Sequence, residues 1–207
     1  MSRSAPENVY ATAKPGLRAR VASVASCRAR RRRHERLFAL TGIRPDSRIV
    51  DVGCGRLGLR RHEADLDITG LDVTVRPDYP GPFVLADVLD GLPFADGEFD
   101  LAYCSSVIEH VAPQNRAAFA RELRRVARGW YVQTPAFSFP VEPHALLPAA
   151  HWLPPALRRP YWRLGVAGDW EDIALLRRAE MAALFGEPMP ERVGPLVKSW
   201  VSVHPLA

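Results

Sequence analysis

The run Ile49-Val50-Asp51-Val52-Gly53-Cys54-Gly55-Arg56-Leu57-Gly58 constrains the fold more than any other part of the chain. A β-rich stretch that ends in an acid and opens into glycines reads as a strand feeding a ligand-binding turn. Glycines 53 and 55 admit positive φ at no steric cost and let the backbone approach a ligand where a Cβ would clash. Two later runs repeat the design, Ile68-Thr69-Gly70-Leu71-Asp72-Val73 and Phe83-Val84-Leu85-Ala86-Asp87-Val88, so three strands each end on a carboxylate. In an open parallel sheet ligands lie beyond the carboxyl ends of the strands, and these carboxylates are expected to converge on one ligand. The set suits an adenosine with an amino-acid tail. Asp72 is expected to accept from the ribose hydroxyls, Asp87 from the adenine amine, and Asp51 to order the turn and meet the ammonium group.

Further along the chain stand Leu92-Pro93-Phe94-Ala95-Asp96-Gly97-Glu98-Phe99-Asp100 and Ser106-Val107-Ile108-Glu109-His110-Val111. With the acid-ended runs above, this ordered series from about residue 43 onward resembles a class I S-adenosylmethionine-dependent methyltransferase. The resemblance implies a Rossmann-like α/β fold: a mostly parallel seven-stranded sheet, an antiparallel C-terminal hairpin, and here an insertion after strand five. It implies S-adenosylmethionine as cofactor and S-adenosylhomocysteine as product. The cofactor would be held by Asp51, Gly53, Cys54, Gly55, Asp72 and Asp87, with Val73 and Val88 beside the adenine and Cys104 and Ser105 along the methionine end. Two departures stand out. The family's third glycine usually follows the second by two residues, whereas here Leu57 fills that place and Gly58 follows. Residues 59–67 also leave room for only about two helical turns.

A dinucleotide reading competes, since Gly53-x-Gly55-x-x-Gly58 matches the NAD fingerprint. That fingerprint needs its third glycine inside a full crossover helix with the pyrophosphate at the helix N-terminus. Arg60, Arg61, His62, Glu63 and Asp65 make a short charged segment instead, and Asp51 would sit close to the pyrophosphate.

A chain of 207 residues, 47% of them hydrophobic, can bury one sizeable core, and residues 1–207 are read as a single methyltransferase domain. No signal-peptide pattern or membrane-length apolar run is present in this sequence, and Cys27, Cys54 and Cys104 lack the spacing of a disulfide framework or zinc site; a cytoplasmic setting is expected. No metal ligands are assigned. The net charge of +5 and the cluster Arg28, Arg30, Arg31, Arg32, Arg33 and Arg36 raise a nucleic-acid hypothesis. Lysine stands only at 14 and 198, so an arginine bias of the whole chain explains the cluster, and a solvated helix over 17–40, with Val21, Val24, Leu37 and Leu40 on its buried face, is favoured.

Residues 1–16 read as a flexible arm. Strands are expected over 67–73, 83–86, 99–104 and 130–133. A crossover helix is expected over 114–127 with Ala118, Phe119, Leu123 and Val126 inward, and a helix capped by Asp169 over 170–185. A closing hairpin over 189–203 should turn at Gly194-Pro195. Residues 134–168, rich in proline and aromatics, form a cap on the acceptor side, with Phe137, Phe139, Leu146, Leu147, Trp152, Leu153, Tyr161 and Trp162 covering the pocket mouth.

Methyl transfer from a sulfonium is an in-line displacement in which the protein chiefly aligns nucleophile, methyl and sulfur. A base is needed when the acceptor is a hydroxyl, and histidine is the natural choice. His144, in Phe139-Pro140-Val141-Glu142-Pro143-His144, ranks first, with Glu142 to orient it and His110 as a second candidate; His151 reads as structural. The acceptor is read as a small molecule or a glycan- or lipid-linked group methylated on oxygen, with peripheral membrane contact through the cap as one route to a lipid-linked acceptor. A non-catalytic cofactor-binding scaffold and a nucleic-acid methyltransferase remain the alternatives. Oligomeric state is not legible.

Overall fold

Residues 35–167 and 173–206 are described by the computed structural model. The expected arm over 1–16, most of the helix over 17–40 with its arginine cluster, and the expected cap Asp169 lie outside them.

Side-chain alternation explains why the central strands read as unbroken apolar runs. In β1 (Arg48–Val52) Ile49 packs into one core cluster while Val50 and Val52 pack into another, and in β4 (Phe99–Ser105) Leu101 and Tyr103 part from Ala102 and Cys104 in the same way. Strands buried on both faces need apolar residues at every position. The remaining strands of the sheet are β2 (Asp67–Asp72), β3 (Phe83–Leu85), β5 (Ala127–Pro135), β8 (Met189–Val193) and β9 (Leu196–His204), in the order β3-β2-β1-β4-β5-β9-β8. β1 to β5 run parallel, while β9 is antiparallel to β5 and β8 to β9. This is the seven-stranded, mostly parallel sheet with a C-terminal hairpin that the sequence predicts, and the turn falls at Gly194, where φ is +57.

One face is covered by α2 (Arg116–Val126), which buries Phe119, Ala120, Leu123 and Val126, and by α4 (Arg178–Phe185), which buries Met181 and Phe185. On the other face α1, over 35–41 among the described residues, brings Leu37 against Ile49, Ile68 and Leu101, with Leu40 half-buried beside it. Leu37 and Leu123 are fully buried, and each burial contributes ~2 kcal/mol.

Several boundaries differ from expectation. β5 is nine residues rather than four, and the helix expected over 114–127 is preceded by a 3-10 turn, Pro113–Asn115, and begins at Arg116. Ala120, not Ala118, fills the core beside Phe119. Arg116 itself is buried, donating to the carbonyls of Val111 and Ala174 and to Glu180. The helix expected over 170–185 is confined to Arg178–Phe185, because Leu176 instead bridges Ala136 in parallel and extends the chain beside β5.

Beyond β5 the chain leaves the sheet and forms a small ribbon, β6 (Val141–Glu142) with β7 (Leu147–Pro148), then a 3-10 turn at Ala150–Trp152 and α3 (Pro155–Trp162). This cap has its own core of Ala145, Leu147, Ala150, Trp162, Ala167, Ile173 and Leu175, with Phe137 and Tyr161 packed on it. Leu147 and Trp162 are thus part of the cap's own core. No helix among the described residues is long and apolar enough to cross a membrane.

Candidate active site

The strand order reverses between β1 and β4, and the turn after β1 opens at that point. The amides of Gly53 and Cys54 both donate to the Leu71 carbonyl at 2.7 and 3.1 Å, folding the turn back over β2. Gly53 has φ +71, and a Cβ there would meet Val107 at 2.3 Å. Gly58 has φ +50, and a Cβ there would lie 2.0 Å from Asp51 Oδ2. The displaced third glycine is thus the residue that lets the turn close over the Asp51 carboxylate. Asp51 is 2% exposed and accepts the Leu59 amide at 2.6 Å. Burial pushes its carboxyl up from 3.8 to about 7, the Leu59 amide lowers it, and the negative charge of Asp72 adds to the rise. Burial first, then Asp51 and Asp72, push the Cys54 thiol up to about 12, so it is an inert filler of the turn. After Gly58 only a three-residue 3-10 turn, Leu59–Arg61, follows. It offers no helix N-terminus for a pyrophosphate, which disfavours the dinucleotide reading.

Asp72, at the end of β2, is buried and fully engaged. Oδ2 accepts from Gly55 N and Arg76 Nε, each at 3.0 Å, and Oδ1 from Thr74 N at 2.9 Å and an Arg76 terminal nitrogen at 3.3 Å. Four donors use the roughly four lone-pair positions a carboxylate offers. Asp87 is exposed and caps the 3-10 turn Val88–Asp90 through the Leu89 amide at 2.9 Å. Val73 is 46% exposed, whereas Val88 is buried in the core.

Cys104 is wholly buried at the end of β4, where burial raises its thiol well above the ordinary range. Ser105 and Ser106 both donate to Gln133 Oε1, at 2.8 and 3.2 Å. Ser106 holds φ 59, a strained value for a residue with a side chain, and Leu146 and Ala149 in the cap do the same at 54 and 53.

Between these segments lies a compact polar cluster. The 3-10 turn Ile108–His110 carries Glu109 inward and His110 outward. Glu109 is 1% exposed; its Oε2 accepts from Thr134 Oγ1 at 2.9 Å, and its Oε1 has no hydrogen-bond partner. His144, in the ribbon loop of the cap, is 2% exposed, with Nδ1 2.7 Å from Glu142 Oε1 and Nε2 4.0 Å from Glu109 Oε1. The His110 ring stands edge-on to the His144 ring, centroids 5.1 Å apart. Burial raises the Glu142 carboxyl most strongly of any single influence, yet the hydrogen bond and charge of His144 and the amides of Ala145 and His144 together hold it below its ordinary value. A carboxylate that anchors Nδ1 leaves Nε2 facing the second carboxylate, an arrangement suited to accepting a proton or a cation. His151 is buried elsewhere in the cap, its Nε2 2.9 Å from the Phe137 carbonyl.

Glu142, His144 and His110, singled out from the sequence, are thus brought together. Glu109, Thr134 and Arg76 were missed. Glu109 stood beside His110 in the motif already singled out, so the signal was present in the residue type.

Residues 50–129 match a family described as a methyltransferase domain. Among solved structures, a protein from Pyrococcus horikoshii OT3 aligns at 16% identity over 84% of this chain and 87% of that one, with TM-score 0.61. The 1,6-didemethyltoxoflavin-N1-methyltransferase of Burkholderia thailandensis, bound to 1,6-didemethyltoxoflavin and S-adenosylhomocysteine, aligns at 15% identity over 76% and 70%, with TM-score 0.50. A SAM-dependent methyltransferase from Archaeoglobus fulgidus aligns at 21% identity over 56% of this chain, with TM-score 0.44, and the match spans about half of that protein, 54%. Over residues 50–129 and in its strand order the chain is thus similar to the class I S-adenosylmethionine-dependent methyltransferases, a superfamily whose cofactor is S-adenosylmethionine and product S-adenosylhomocysteine.

Proposed function

We propose that the chain transfers the methyl group of S-adenosylmethionine to a hydroxyl oxygen of a small-molecule or glycan- or lipid-linked acceptor, in the cytoplasm. The observation that carries this reading is the buried Glu142–His144 pair, 2.7 Å apart, beside Glu109 and His110 at the exits of β4 and β5. In the reaction the hydroxyl proton passes to His144 Nε2, the oxygen bonds to the methyl carbon, and the carbon–sulfur bond breaks to release S-adenosylhomocysteine. Glu142 keeps the imidazole in the tautomer that presents Nε2 as acceptor and stabilises the imidazolium that forms.

On the cofactor side the reading gives Asp72 the ribose, Asp87 the adenine amine and Asp51 the ammonium group. Gly53, Cys54 and Gly55 supply close backbone, Cys104 and Ser105 line the methionine end, and Val73 flanks the adenine. Val88 supports that pocket from the core. A cleft of about 430 Å³ lined by Leu146, Leu147, Pro148, Tyr161 and Leu164 begins two residues along the chain from His144 and suits an apolar part of the acceptor. Leu157, Leu164 and Arg159 are all exposed on the cap, which favours a lipid-linked acceptor presented at a membrane surface. Failure of anionic vesicles to retain the protein would remove that refinement.

Incubation with methyl-labelled S-adenosylmethionine and a panel of hydroxylated small molecules, free glycans and lipid-linked sugars is expected to yield an O-methyl ether. Label appearing on nitrogen or carbon would overturn the oxygen assignment, and no transfer to any class would favour the scaffold reading. A second expectation concerns Arg76, whose guanidinium must leave Asp72 before a ribose can bind there. Arg76→Gln is expected to tighten S-adenosylhomocysteine by about threefold to tenfold, as removal of a competing ion pair implies. Unchanged or weaker binding in calorimetry would show that Arg76 stays on Asp72 in the complex.

A further inference from the structure

We propose that Glu109, His110 and His144 form a binding site for a divalent transition-metal ion, with open coordination positions that receive the oxygen of the acceptor. The inference rests on reading this cluster as the acceptor centre. One ligand atom from each of the three residues lies within 4.8 Å of those of the other two. Two are carried by buried side chains and the third, His110, by an exposed one, so the centre has a protein-bound floor and an open side.

The strongest pointer is Glu109 Oε1. A carboxylate oxygen 1% exposed to solvent and without a hydrogen-bond partner is costly, because burial forfeits its hydration with nothing in return. It faces His144 Nε2 at 4.0 Å, and a cation between them supplies the partner that Glu109 Oε1 lacks. The outer contacts are those that metal ligands require. His144 Nδ1 is held by Glu142 Oε1 at 2.7 Å, which fixes the tautomer with Nε2 as ligand, and Thr134 Oγ1 donates to the other oxygen of Glu109 at 2.9 Å, leaving Oε1 for the ion.

Two imidazoles and one carboxylate are a borderline-hard donor set, which suits Zn²⁺, Fe²⁺, Co²⁺ or Mn²⁺ better than Ca²⁺. Bonds of about 2.0–2.2 Å bring neighbouring donors to within roughly 3–3.5 Å of each other, so the cluster closes by about 1 Å on binding. His110, the exposed member of the three, is the one that makes that movement, while Glu109 and His144 are packed. Three protein ligands leave positions for one or two acceptor oxygens, the arrangement of catalytic rather than structural sites. The ion makes a coordinated hydroxyl acidic near neutral pH, and the released proton passes to water. The alkoxide then takes the methyl group, the carbon–sulfur bond breaks, and S-adenosylhomocysteine leaves with the ion unchanged. In this form His144 Nε2 is a ligand, so the ion replaces it as the activating group.

The test uses full-length, untagged protein stripped with chelator and titrated with Co²⁺, followed by visible d–d absorption and by calorimetry. A single equivalent is expected to bind with tetrahedral or five-coordinate bands, and Zn²⁺ should displace it. Glu142→Gln is expected to weaken Co²⁺ by about 10–100-fold, as loss of an outer-sphere carboxylate does. His110→Ala, at an exposed position, should weaken it at least as much while the melting temperature of the metal-free protein and its S-adenosylhomocysteine affinity hold. Absence of bands, or His110→Ala binding Co²⁺ as the parent does, would overturn the proposal. Full hydroxyl methylation in the presence of chelator would also overturn it while leaving the methyl-transfer reading intact. Metal binding without hydroxyl methylation would do the reverse.

Discussion

His144→Ala is expected to lower the turnover number by about 10²–10⁴, the usual contribution of a positioned proton-transfer group, with S-adenosylhomocysteine affinity held within about twofold. The two effects separate because His144 belongs to the cap and ribbon, while the turn that would hold the cofactor is built from β1 and β2. Alanine at 144 has a structural cost too. It strips Glu142 Oε1 of its 2.7 Å imidazole partner and leaves a buried carboxylate held by the backbone amides of positions 144 and 145 alone. That loss is worth about 1–3 kcal/mol of stability. His144→Gln is therefore the companion variant, since its side-chain amide can still donate to Glu142 while offering neither a base nor an imidazole ligand. Turnover measured at saturating cofactor should fall in both variants, with the fold of the glutamine variant intact by melting temperature. A turnover number within about threefold of the parent in His144→Gln would remove this centre from the reaction.

How much of this was legible in the sequence depends on how local each signal is. The acid at the end of β1 and of β2, and the glycines that follow β1, were readable because period-two burial and turn chemistry act within a few residues. The paired hairpin at Gly194 was readable for the same reason. Arg116 was not, because arginines on a helix read as solvated. Its burial depends on Val111, Ala174 and Glu180, the last of them 64 positions away. Val88, next to Asp87, reads equally as an adenine neighbour or as ordinary core. In the fold β3 stops at Leu85, and the 3-10 turn capped by Asp87 rotates Val88 into the core. The start of α4 was misplaced because Asp169 reads as a cap for a helix from 170, whereas Leu176 is committed to a bridge with Ala136. At the candidate site, histidine drew attention by its chemistry, and Glu109 was passed over because a carboxylate in a polar motif reads as exposed. Only the fold sets Thr134 and His144 on either side of it and removes the water.

The second large effect is a pH dependence centred on Asp51. Its carboxyl rises from 3.8 to about 7, with burial as the leading cause. The unfolded chain releases this proton near pH 4 and the folded chain keeps it until about pH 7, so between those values the native state binds more protons. A raised carboxyl therefore contributes stability that is complete below pH 4 and is lost as pH climbs through 7. At 1.36 kcal/mol per unit the loss is ~4 kcal/mol, and at 2% exposure little solvent screening reduces it. Asp51→Asn keeps an oxygen for the Leu59 amide and removes the charge. In urea unfolding the variant should lack most of the difference in stability that the parent shows between pH 5 and pH 8. Cofactor binding runs the opposite way. The ammonium of an adenosyl sulfonium ligand favours the ionised carboxylate, so parent affinity should rise by up to about tenfold per pH unit below 7 and level off above it. Binding near pH 6 should release a proton, seen as a heat that differs between buffers of unlike ionisation enthalpy, and Asp51→Asn should bind weakly and without that release. A parent affinity flat from pH 5.5 to 8 would mean that the buried carboxylate serves the Gly53–Gly58 turn alone and never meets the ligand's charge.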